Sequence, residues 1–145
     1  MSIGLVFIAL VLTGCSDSAL QKVSKGLLDV SQGVATLQTT IIEANRQKLV
    51  SDNDTEVILR LSFRINQAGQ QASEATRALT KLSATDRTKI LTILQPLLQE
   101  VNTAVQTGTL GITDANTKGK VQLVLQTIQT ALNSLNLVLT STGGK

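Results

Sequence analysis

Cys15 is the only cysteine of the chain, and the 145 residues contain no histidine. The usual zinc and copper ligands and the imidazole general base are therefore missing together. What remains is one thiol in an unusual setting. Residues 3–12 read IGLVFIALVL, with no charge among them. Thr13 and Gly14 follow, then Cys15, and the chain turns polar at once with Ser16, Asp17 and Ser18. A bilayer-spanning helix needs roughly 20 apolar residues, whereas the core of a secretory signal takes about 7 to 15. The run fits the second length.

Other reactive groups form weaker patterns. Asp52, Asp54 and Glu56 alternate as at the start of a calcium loop, but Val57 and Phe63 stand where its glycine and bidentate glutamate belong. Helix capping accounts for these acids better. Glu43, Glu56, Glu74 and Glu100 lack the Glu-x-x-His pairing of a di-iron bundle. Gly108 and Gly111 bracket a turn without the Lys-Ser/Thr of a phosphate loop. Arg60 and Arg64, one helical turn apart, could bind an anion, although a solvated helix face explains them as well. The net charge is +3 with both signs interleaved, and there is no Trp or Tyr on which bases could stack. Neither an enzyme, a resident metal or cofactor, nor a nucleic-acid partner is expected.

Leu12-Thr13-Gly14-Cys15 resembles the lipobox of bacterial lipoproteins, in which a leucine and two small residues precede the cysteine. The resemblance implies recognition of Leu12, Thr13 and Gly14 by a signal peptidase, cleavage after Gly14, and acyl chains such as palmitate on Cys15. A thiol suits thioether formation, and small residues let a peptidase grip extended backbone. Each buried CH₂ contributes about 0.8 kcal/mol, so several chains on one cysteine make a firm anchor. Ser16, rather than an aspartate, follows the cysteine, which implies the outer membrane, facing the periplasm or the cell surface. The chain departs from the family in having no Lys or Arg before Cys15. The bland alternative is that Cys15 is a small buried hydrophobe in an ordinary helix.

The elements that would carry this anchor are helical throughout. Leu20, Val23, Leu27, Val30, Val34, Leu37, Ile41 and Ala44 recur at alternating steps of three and four, as strands cannot. Similar seams run from Ile58 to Leu82, from Ile90 to Ala104 and from Val121 to Val138. Start signals precede each: Ser18 with Gln21, Asn53 with Glu56, Ser83 with Asp86, and Thr113 or Asp114. The spacing predicts helices near residues 18–50, 54–82, 86–107 and 114–140. With short turns between them, the fold expected is an all-α, antiparallel, up-down-up-down four-helix bundle. Extra apolar positions widen the stripes: Leu28, Ala35, Ile42 and Leu49 on the first helix, Leu91 and Leu98 on the third, and Leu125, Leu132 and Leu139 on the fourth. Wide stripes favour a bundle over a two-stranded zipper. Pro96 should kink or break the third helix. Gly26 and Gly33, and the run Ala68, Gly69, Ala72 and Ala75, permit close backbone approach or line a cavity.

The chain thus divides into a signal peptide (1–14), a short lipidated tether (15–17), the bundle (18–140) and a tail (141–145). The expected function is that of a non-catalytic, lipid-anchored bundle of the bacterial envelope. It would act through protein contacts, as a scaffold, inhibitor, exclusion factor or accessory. Its partners would be membrane lipid through Cys15 and an envelope protein. An apolar ligand pocket and assembly into homo-oligomers are the alternatives.

Overall fold

A computed structural model describes residues 18–107 and 111–141; Leu12, Thr13, Gly14 and Cys15 lie outside them, as do residues 108–110 and 142–145. The described residues form four helices and no strand: α1 (Ala19–Arg46), α2 (Asp52–Arg77), α3 (Ala84–Gln106) and α4 (Ala115–Thr140). α1 packs against α2 and α4, and α3 packs against the same two. The diagonal pairs make no Cα approach within 8 Å, which is the arrangement of an up-down four-helix bundle.

Each start is chemically marked. The Ser18 hydroxyl accepts from the Gln21 N–H while the Gln21 side chain accepts from the Ser18 N–H, a complete capping box. Ser83 and Asp86 make the same reciprocal pair at α3. Asp114, rather than Thr113, caps α4 by accepting from the Thr117 N–H at 2.7 Å. At α2 the cap is Ser51, which accepts from Asp54 N–H, and not Asn53, which is the second residue of the helix.

The ends differ more from expectation. α1 stops at Arg46 rather than near residue 50, because Lys48 takes a left-handed φ of 61°. Lys48 N–H then bonds to Asn45 O and Leu49 N–H to Ala44 O, both at 2.9 Å, which satisfies the last carbonyls. Leu49 and Val50 continued the apolar pattern past this point, but Val50 is buried from a loop. α2 likewise ends at Arg77, short of residue 82.

Pro96 does not break α3, which runs continuously through it. Proline leaves the carbonyl four residues back, at Thr92, without its helical donor. Both residues face solvent, where water can replace that bond.

The core is aliphatic. Val23, Leu37, Ile41, Ile65, Ile90, Val101, Val121 and Ile128 are fully enclosed at its centre. No charged residue is buried among the described residues; the buried polar ones are Ser62, Thr76 and Thr117. Ser62 and Thr76 donate to carbonyls of their own helix, so neither hydroxyl is left unpaired.

Candidate functional site

With no charged residue buried among the described residues, the polar chemistry they offer lies on the faces and at the ends of the bundle. On the outer face between α1 and α2, an open groove of about 730 Å³ is lined by Gln38, Asn45, Thr55, Leu59, Arg60 and Phe63 among others. A second groove of about 350 Å³ between the same helices includes Leu28, Ser31, Asn66, Gly69 and Ser73. Phe63 is 64% exposed and Leu28 56% exposed. Ile42, between Gln38 and Asn45 on α1, is also exposed.

Leu28, Ala35 and Ile42 were expected to turn toward a neighbouring helix. They face solvent instead, because the seam positions of α1 already fill its contacts with α2 and α4. On α4 the same pattern has the opposite outcome: Leu125, Leu132 and Leu139 are among the most buried residues of the protein. Leu91 and Leu98 of α3 lie between these extremes.

The two arginines noted from sequence are both engaged. Arg60 pairs with Glu56 on its own helix, and Arg64 Nε donates to Glu100 Oε2 of α3 at 3.0 Å. Their charges are answered within the protein, so the arrangement favours a solvated, ion-paired helix face over an anion site.

The small residues separate into two kinds. A Cβ built on Gly26 would lie 2.6 Å from Leu135 Cδ2, and one on Gly33 would lie 2.6 Å from Ile128 Cγ1. Here the glycines bring α1 and α4 together. A groove of about 550 Å³ runs over this contact, edged by Asp29, Gln32, Thr36, Thr127, Thr130 and Ser134. Gly69 of α2 is different, since a Cβ there would meet nothing within 4 Å. Ala72 is fully buried. Ala68, Ala72 and Ala75 line none of these grooves.

Among the described residues, no group of three or more acidic or thiol side chains is placed to hold a metal. No described helix is long and apolar enough to cross a membrane. Two aspartates titrate below their ordinary range. Asp86 is lowered chiefly by hydrogen bonds from the Ser83 side chain and then its backbone, with Lys89 adding a favourable charge. Asp114 is lowered by bonds from the backbone and then the side chain of Thr117. Asp114 is the cap of α4 and Asp86 is the capping-box partner of Ser83 in the first turn of α3, and these local hydrogen bonds account for both shifts.

Besides the Arg64–Glu100 pair, two cross-helix contacts were not foreseen from sequence. Arg87 of α3 donates through Nη1 to the carbonyls of Val138 (2.9 Å) and Ser141 (2.8 Å), closing the end of α4. Gln129 Nε2 donates to Asn102 Oδ1 at 2.7 Å, joining α4 to α3. Both link residues far apart in sequence, and a single chain carries no local signal for them.

No protein-family model matches the chain, and no curated protein or solved structure shows significant similarity to it.

Proposed function

We propose that this protein is a non-catalytic helical bundle of the bacterial cell envelope, held to a membrane by acyl chains on Cys15 and acting through protein contacts. The observation that carries the reading is the junction between lipobox and fold. Only Ser16 and Asp17 separate Cys15 from Ser18, whose capping box opens α1. A cut after Gly14 would remove the apolar run and leave the capped bundle whole. The outer membrane, facing the periplasm or the cell surface, is the proposed location, on the strength of Ser16 after the cysteine. Leu28, Ile42 and Phe63 are the apolar positions through which α1 and α2 would meet an envelope partner.

Membrane fractionation with intact-mass analysis tests the anchor, comparing the native chain with Cys15→Ser. The expected native product is membrane-bound, begins at Cys15 and carries acyl mass, and the variant loses all three properties. Two soluble forms that both keep residues 1–14 would sink the proposal.

A second reading, self-assembly, draws on the same exposed face. Light scattering on the purified protein decides it: a concentration-independent monomer removes it.

A further inference from the structure

The charges of the bundle are unevenly placed along its axis. The end from which the chain leads back to Cys15 gathers the start of α1, the end of α2, the start of α3 and the end of α4. Gly26 against Leu135 and Arg87 on the Val138 and Ser141 carbonyls hold these four termini together, as does the short link from α2 to α3. This half carries Lys22, Lys25, Arg77, Lys81, Arg87 and Lys89, against the acids Asp29, Glu74 and Asp86. The opposite half holds six basic and six acidic residues. It also holds all three ion pairs found among the described residues: Arg46–Glu43, Arg60–Glu56 and Arg64–Glu100. Lys22, Lys25, Arg77 and Lys81 are exposed, and none is within ion-pairing distance of a described carboxylate.

From these positions we infer that the basic end of the bundle docks on an anionic phospholipid surface. The inference rests on the anchor reading and names the surface that the anchored domain touches. Lys22 lies about 6 Å along α1 from the Ser18 cap, by the helical rise. Arg77 closes α2, and Lys81 is in the link that follows. The field of an anionic leaflet decays over about 8 Å at physiological salt, so with the Ser18 end seated on the surface Lys22 falls within its reach, and Arg77 and Lys81 belong to the same end of the bundle. Lys25 and Lys89 lie near its limit. Asp17, just before the cap in sequence, offsets one of these charges without reversing the balance. Arg87 is engaged by the end of α4 and serves mainly to hold the termini together. Lipid chains on Cys15 would supply the first membrane signal and this basic end the second, which would hold the bundle upright on its tether.

The test is lysine acylation footprinting of the lipidated protein as isolated from membranes, read by mass spectrometry. The protein is reconstituted in vesicles of phosphatidylcholine alone and in vesicles also containing phosphatidylglycerol. In the anionic vesicles, Lys22 and Lys81 should react about fivefold more slowly than in neutral ones. That factor corresponds to the ~1 kcal/mol attraction of one basic residue to such a surface. High salt should abolish the difference, and Lys118 and Lys120 at the far end should not show it. Equal protection in neutral vesicles would mean that the tether alone brings this end close, and would overturn the charge-driven docking. Uniform reactivity across all four lysines would overturn it too. Protection seen in native envelopes but not in anionic vesicles would assign this end to an acidic protein instead. An unacylated chain that keeps residues 1–14 would show in the mass and would overturn both the anchor reading and this one.

Discussion

Gly33→Ala isolates the contact that brings α1 against α4. Alanine in place of glycine inside a helix contributes about 1 kcal/mol through propensity alone. At position 33 the added Cβ would lie 2.6 Å from Ile128 Cγ1, far inside normal contact. Cγ1 is close to the backbone, and Ile128 is fully enclosed, so it cannot swing aside. Overpacking of this kind costs about 1–3 kcal/mol, which outweighs the gain and leaves a net loss of about 1 kcal/mol. Gly69→Ala is the internal control, since its Cβ would meet nothing within 4 Å and only the propensity gain remains. Urea unfolding followed by far-UV circular dichroism should therefore separate the two variants by about 2 kcal/mol, with opposite signs relative to wild type. A double-mutant cycle sharpens the result. In an Ile128→Ala background, itself destabilised by about 2–5 kcal/mol, the clash is gone and Gly33→Ala should become stabilising. If Gly33→Ala stabilises the wild-type protein as much as Gly69→Ala does, α1 and α4 are not in close contact and the packing argument is refuted.

Arg87→Met should loosen the last turn of α4 by about 1–2 kcal/mol, because the Val138 and Ser141 carbonyls lose a charged donor. Hydrogen exchange should show the change confined to the end of α4 and the start of α3. Asp86 and Asp114 are lowered from the ordinary 3.8 in the folded state, so the unfolded chain takes up their protons first as acid is added. Their contribution is complete above about pH 5 and is lost as pH falls through the ordinary and then the lowered values. A Ser83→Ala, Asp114→Asn variant should show a shallower acid decline in thermal unfolding. Pro96→Ala should raise stability by about 1–3 kcal/mol by restoring the helical donor to Thr92, measured by the same urea unfolding. Phe63→Ser should change monomer stability by less than about 0.5 kcal/mol, as expected at an exposed site, and a larger loss would show that a second molecule covers it.

The helices were legible because an aliphatic seam repeats at steps of three and four, and because Ser18, Ser83 and Asp114 announce their starts with short-range hydrogen bonds. Their ends were less so. The left-handed stop at Lys48 uses no glycine, and two apolar residues beyond it imitate a further turn. Ser51 and Asn53 are both good caps on paper. Asp54 reinforces the first, since it accepts from the Ser51 hydroxyl at 2.6 Å. The breadth of a stripe was a poorer guide still. Leu28 and Leu132 extend their seams in similar ways, yet one is 56% exposed and the other 2%. Periodicity says which face of a helix is apolar, not how many neighbours will cover it. The clustering of cations at one end was invisible for a related reason. Lys22, Arg77, Lys81 and Lys89 are scattered in sequence and meet only once the antiparallel order brings their termini together.

A core of Leu, Ile, Val and Ala raises the question of register, since hydrophobic attraction is non-directional. Here each of the four helix interfaces carries its own registering device. Between α1 and α4 it is steric: Gly26 takes Leu135 and Gly33 takes Ile128. A step of seven forward on α1 is thus answered by a step of seven backward on α4, as antiparallel helices require. A slip by one turn would set these side chains against residues that have a Cβ. Between α3 and α4 the device is polar, the Asn102–Gln129 bond toward the end of α3 and Arg87 near its start. Arg64 and Glu100 join α2 to α3. Asn45 donates to Asp52 at 2.8 Å across the α1–α2 turn. None of the polar devices brings a charge into the core, so none incurs the desolvation penalty of a buried ion pair. Stability comes from the aliphatic interior and uniqueness from the seams around it. Substitutions at the two kinds of position should therefore fail differently. Core truncations such as Leu37→Ala should lower the unfolding free energy with the fold intact. Paired loss of Asn102 and Gln129 should leave stability nearly unchanged while broadening the native ensemble, visible as lost dispersion in amide spectra.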